Sequence, residues 1–183
     1  LSSAAEYLIR YQTRVWRVGQ DAHTEDFDAI AERLAKATRM GKTVFTIGNG
    51  GSAATADHFA TDLMPRGIKA MSLTNPAQGT RIGNDNGFDH VFERQLEVMA
   101  EMHDVLVAFS VSGDSVNVLN ALRWGMRHGL NTIAFLGNSG GAATQYCDLS
   151  VSSDHLDYPA VEDLHSQMCH ALVTYLYHEV ADA

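Results

Sequence analysis

The chain reads as an α/β protein, a three-layer sandwich with a central parallel sheet and a pair of helices at its N-terminus. Three features predict this. Short apolar, β-branched runs recur at 43–47, 105–109 and 132–136, continuous rather than alternating, as expected of strands buried on both faces. Each run meets a loop rich in Gly, Ser and Asn. A helical pattern follows the first two of these loops, so strand, loop and helix repeat in parallel-sheet order.

The elements follow in order. Residues 1–20 place Leu1, Ala4, Ala5, Leu8, Ile9, Val15 and Trp16 at helical spacing, with Ser2 or Ser3 as cap. From Thr24 to Met40, Phe27, Ile30, Ala31, Leu34 and Ala35 recur three and four apart, and Gly41 ends the pattern. The 43–47 strand opens through Gly48-Asn-Gly-Gly-Ser52 into a helix reaching about Leu63. A short strand is expected at 70–73 and a helix over 88–102. The 105–109 strand runs through Ser110-Val-Ser-Gly-Asp-Ser115 into a helix ending near Gly129. Strands at 132–136 and 148–151 and a long helix from Pro159 to about Asp182 complete the chain. No linker or tandem repeat interrupts 1–183, which reads as one domain, with 1–40 packing on it. Trp16, Met99, Phe109, Phe135 and Met168 sit at core spacings, and Tyr175 and Tyr177 read as packing residues.

Thirteen Lys and Arg against 22 Asp and Glu give a formal charge of −9, with no basic run, which argues against nucleic acid as a partner. The longest aliphatic stretch is far too short to cross a bilayer, and no basic segment leads into an apolar one at the start. Two cysteines make no disulfide framework. A cytoplasmic location without membrane partners is expected.

Two strand-to-helix loops have the composition of an anion cradle. Gly48-Asn49-Gly50-Gly51-Ser52 allows close backbone approach and opens into a helix N-terminus. Ser110-Val-Ser112-Gly113-Asp114-Ser115 groups three hydroxyls around a glycine, again at a helix start. Hydroxyl and backbone donors suit a phosphate monoester without any lysine. The P-loop pattern is missing, and Ala53 breaks the dinucleotide fingerprint, so neither ATP nor NAD is expected. His58 and Asp62 lie four apart, on one helix face. Glu162, Asp163, His165 and His170 are acid, base or ligand candidates on the last helix.

Gly-Asn-Gly-Gly-Ser-Ala-Ala-x-Ala-x-His-Phe-Ala (48–60), Gly-Asn-Asp-x-Gly-Phe (83–88) and Ser-x-Ser-Gly-x-Ser-x-Asn-Val (110–118) resemble the sugar isomerase (SIS) fold. Within it they resemble the sedoheptulose-7-phosphate isomerase, or phosphoheptose isomerase, family. The resemblance implies a flavodoxin-like α/β sandwich, a homotetramer in which 1–40 also packs on neighbouring subunits, and active sites between subunits. It implies a divalent metal, zinc by the ligand set, held by His58, Asp62, Glu162 and His170. Asp62 stands where the family carries Glu, and Glu162 where it carries Gln. Aldose–ketose isomerisation through an enediol(ate) needs a carboxylate base and an acid–base partner. Asp62 is assigned as base, His170 as partner and Glu162 as rival base. Asn49, Gly50, Gly51, Ser52, Ser110, Ser112 and Ser115 are expected to bind phosphate and hydroxyls, and Arg66, Asn84 and Asp85 the sugar chain. The alternative is a non-catalytic SIS module that senses sugar phosphates or binds the bacterial replication initiator.

Overall fold

The structure, a computed structural model, describes residues 3–181. Helices α1 (Ala4–Gln20) and α2 (Phe27–Arg39) flank a two-residue strand β1 (Ala22–His23). There follow β2 (Thr43–Gly48), α3 (Gly51–Leu63), β3 (Lys69–Ser72), α4 (Pro76–Asn86) and α5 (Glu93–Met99). The chain continues through β4 (Val105–Ser110), α6 (Val116–Arg127), β5 (Asn131–Leu136), β6 (Leu149–Ser153) and α7 (Tyr158–Ala181). The strands form one sheet in the order β1-β6-β5-β4-β2-β3, parallel throughout except for β1 against β6. Setting β1 aside, this is the flavodoxin-like order, and its switch point lies between β2 and β4.

Side chains alternate across the sheet, so β4 serves two cores at once. Val105, Val107 and Phe109 pack with α1, α2, α3 and α7. Leu106 and Ala108 pack with α5 and α6. All six residues of β4 are buried, which explains why the strand reads as an unbroken apolar run.

Two elements escape sequence patterning. Helix α4 has no buried residue, so no hydrophobic period betrays it. Its start is still marked: the Asn75 side chain accepts from Ala77 and Gln78, and Pro76 takes the first helical position. Strand β1 is too short to show a period. The expected 88–102 helix is divided into a 3₁₀ turn over Phe88–His90 and α5, which stops at Met99. Ser3 caps α1 in a capping box with Glu6.

Helix α1 corrects the reading of its stripe. Only Val15 and Val18 are buried; Leu8, Ile9 and Trp16 are exposed, Trp16 at 63 %. Polar contacts dock the helix beside these two valines. Tyr11 Oη donates to Asp163 Oδ2 at 2.5 Å, and Arg14 pairs with Asp157 at 2.9 Å. Burial, then the Asp163 carboxylate, pushes the Tyr11 hydroxyl up to about 12. Asp163 is thereby a structural anchor. Tyr175 and Tyr177 are exposed as well, the latter beneath the Arg66 guanidinium.

His165 lies inside the core against Phe109 and Phe135, and burial pushes its pKa down to about 4. The folded protein therefore holds it neutral while the unfolded chain protonates near pH 6.5. Stability should be full above that value and fall as pH drops toward 4, by about 3 kcal/mol from this residue. Urea unfolding at pH 7 and pH 4 should show that loss in the parent and not in His165→Met; equal losses in both would refute it.

Candidate active site

The ladder between β2 and β4 places Gly48 opposite Phe109, so the loops that leave both strands sit side by side. Gly50, at φ +57, lets the first loop turn directly into α3. The loops are tied by a reciprocal amide pair. Asn49 Nδ2 donates to Asn117 Oδ1 at 2.8 Å, and Asn117 Nδ2 returns a bond to Asn49 Oδ1 at 2.9 Å. Asn49 thus spends its amide on holding the loops together. Asn117, a buried residue at the start of α6, is a site residue that sequence reasoning missed, although it stands within the 110–118 motif.

A cavity of about 320 Å³ opens between the loops, lined by Asn49, Gly50, Gly51, Ser52, Phe109, Ser110, Val111, Ser112, Ser115, Tyr158 and Glu162. No Lys or Arg is among them. Gly113 N donates to Ser110 Oγ at 3.1 Å, and Asp114 N to Ser112 Oγ at 3.2 Å. Each hydroxyl thereby accepts within the loop and keeps its own hydrogen for a ligand. Ser115 precedes α6 without a side-chain capping bond, so its hydroxyl is not committed to the helix.

Glu162, from the first turns of α7, enters the same cavity at the start of α3. It lies so close that a Cβ on Gly51 would collide with its carboxylate. Burial raises its pKa, the neighbouring Asp163 charge adds to this, and the Ser52 N–H opposes it.

The other candidates gather farther along α3 and α7. His58 Nε2 and His170 Nε2 stand 2.9 Å apart. Asp62 Oδ2 is 3.3 Å from the first ring nitrogen and 3.8 Å from the second. A tetrahedral zinc with ligands near 2.05 Å has donor-to-donor edges of roughly 3.3 Å, so this trio fits such an ion. Three protein donors also leave one position open. Glu162 is not in this cluster.

Three expected sugar-chain residues lie outside this chain's serine cavity. Arg66 lies in the 3₁₀ turn after α3, its guanidinium 4.1 Å from the centre of the Tyr177 ring. Asn84 and Asp85 bond each other near the C-terminal end of α4. Asp85 lines a groove between α4 and α5 with Arg81 and Arg94, outside the serine cavity.

Fold and cavity together define an α/β protein of the SIS class: the family model described as SIS domain matches residues 7–137. A phosphoheptose isomerase of Bradyrhizobium sp. strain BTAi1 is 38 % identical over 176 residues, spanning 92 % of this chain and 89 % of its own. Phosphoheptose isomerase GmhA from Neisseria gonorrhoeae superposes with a TM-score of 0.89 at 30 % identity, covering 95 % of this chain and 99 % of the other. The fold alone is shared with the Vibrio vulnificus NanR protein complexed with ManNAc-6P, at 15 % identity and a TM-score of 0.70, covering 96 % and 65 %. The chain belongs to the phosphoheptose isomerase family of SIS-domain proteins.

Gly51→Ala tests the seat of Glu162. The colliding atoms are the far end of a flexible side chain, so the carboxylate should swing away while the fold persists. Melting temperature should move little, and turnover should fall as far as in Glu162→Ala. Parent-like turnover in Gly51→Ala would show that the seat is dispensable.

Proposed function

We propose that this aldose–ketose isomerase of a phosphosugar converts sedoheptulose 7-phosphate into a heptose 7-phosphate. The observation that carries the reading is a single cavity joining lysine-free serine donors to a carboxylate with a raised pKa. An anion held by neutral donors leaves the carboxylate free to act as a base.

Ser110, Ser112 and Ser115 are assigned to the phosphate, and the backbone of Gly50 and Gly51 to sugar hydroxyls, the Ser52 N–H being held by the Glu162 carboxylate. Glu162 is assigned to the carbon chemistry: it takes a proton from C1 of the ketose and returns it to C2. The proton exchanged between the two oxygens is assigned to Nδ1 of His170, since its Nε2 is the atom that faces His58 and Asp62. Proton number balances, because each proton removed is returned one atom along. Asp62 stands between two imidazoles, where it serves better as a ligand than as the base. A divalent ion held by His58, Asp62 and His170 would polarise the carbonyl and offset the enediolate charge.

The trio and the cradle of one chain are held apart. His58 lies seven residues beyond Gly51 on α3, about 10 Å, and His170 eight beyond Glu162 on α7, about 12 Å. We therefore assign each working site to two chains of a homotetramer, one supplying the cradle and the other the trio. The exposed Tyr7, Leu8, Ile9 and Trp16 of α1 support such an assembly. No described helix is long and apolar enough to cross a membrane, and both cysteines are free, in keeping with a cytoplasmic enzyme.

Incubation with sedoheptulose 7-phosphate, followed by NMR, should show an aldose phosphate. Activity should vanish on chelation and return with zinc. Binding without turnover, with zinc present, would move the chain to the sugar-phosphate-sensing alternative. Mixing Glu162→Ala chains with His170→Ala chains should restore activity that neither variant has alone. Hybrid tetramers that stay inactive would return the site to a single chain.

A further inference from the structure

The serine loop presents donors, yet it contains backbone carbonyls that would repel an anion. Three of these are taken by the segment that follows β5. Gly137 N donates to Ser110 O at 3.2 Å, Asn138 Nδ2 to Ser112 O at 3.3 Å, and Ala143 N to Gly113 O at 2.9 Å. In return, Asp114 Oδ1 accepts from Ala142 N at 2.8 Å. No residue of 137–143 lines the cavity, so the bonds draw these carbonyls out of it.

The segment has an unusual backbone. Asn138, Ser139, Gly140 and Gly141 have φ values of 49°, 55°, 90° and 55°. Two of the four carry a Cβ, which this region disfavours. The conformation brings Gly140 so close to Gly113 that a Cβ on Gly113 would strike the Gly140 carbonyl oxygen. It is pinned from behind as well. Asn138 N donates to His155 O at 2.8 Å, and Ser139 Oγ donates to Asp154 Oδ1 at 2.9 Å, which also faces His23 Nε2 at 3.2 Å.

We propose that residues 137–143 are a brace that orients the serine loop for an anion, with Asn138 and Asp114 as its positioning residues. By consuming the carbonyls of Ser110, Ser112 and Gly113, the brace takes these acceptors away from the ligand and leaves the loop's hydroxyls to face it. The proposal rests on the reading that this loop receives the phosphate. It explains how a loop without a basic residue, in a chain of charge −9, can hold an anion.

Inorganic phosphate is the probe, measured by calorimetry and as a competitor of turnover by the full-length protein. Ser112→Ala tests the reading itself and should weaken phosphate. Asp114→Ala and Asn138→Gly test the brace. Asp114 is exposed, and glycine accepts a positive φ at no cost, so neither change threatens the fold. Each should weaken phosphate about tenfold, as loss of one such bond implies. KM for the sugar phosphate should rise by the same factor while kcat stays within about twofold, since the reacting groups are untouched. Asp114→Asn keeps the acceptor and should return KM to the parent value. A merely structural role would lower melting temperature and kcat together and leave KM alone, and that result would overturn the proposal. Parent-like phosphate affinity in both brace variants, with Ser112→Ala weakened, would also overturn it while sparing the phosphate reading. An unchanged Ser112→Ala would overturn both.

Discussion

Val44 to Gly48 pair in parallel register with Val105 to Phe109, and this ladder carries everything that happens above it. It brings together two loops whose joining asparagines, Asn49 and Asn117, are 68 residues apart. In a parallel sheet both strands deliver their loops to the same edge, and at the switch point the following helices diverge to opposite faces, leaving a cleft. The cavity between Ser52 and Ser112 is that cleft. The amide pair ties its two loops together, and α7 contributes Glu162 to its lining.

The electrostatics of the cleft follow from the same arrangement. With no cation in the lining, its polar character comes from oriented dipoles: serine hydroxyls whose acceptor sides are filled by the N–H groups of Gly113 and Asp114, and carbonyls turned toward the 137–143 segment. Such dipoles cost no reorganisation when charge arrives, because the fold has already oriented them. A single carboxylate, Glu162, stands at the opposite side against Gly51. Glycine at 51 leaves the carboxylate the space that a Cβ would take.

Helix α7 links the serine cavity to the cluster of His58, Asp62 and His170. Its first turns hold Glu162 in the cavity, its middle buries His165 between Phe109 and Phe135, and His170 meets His58 and Asp62 farther on. One helix thereby sets the cradle and the trio at a constant separation. The polar docking of α1 through Asp157 and Asp163 fixes the start of that helix and leaves the apolar face of α1 outward.

Sequence alone determined what depends on local periodicity. The buried strands β2, β4 and β5, the two polar loops at their ends, and the placement of His58 and Asp62 on one helix face all follow from spacing within a few residues. Tertiary structure decided the rest. That His170 meets His58 at 2.9 Å, while Glu162 lies instead at the cradle, depends on how α7 crosses α3, which no spacing within either helix encodes. That Trp16 faces outward depends on which side of α1 meets the domain, since an amphipathic stripe marks a contact face without naming its partner. Helix α4 was illegible because it buries nothing, and the brace because its bonds join β5 to a loop that precedes it by a whole helix. A sequence records local preference, whereas a site is assembled from contacts between elements that chain order keeps apart.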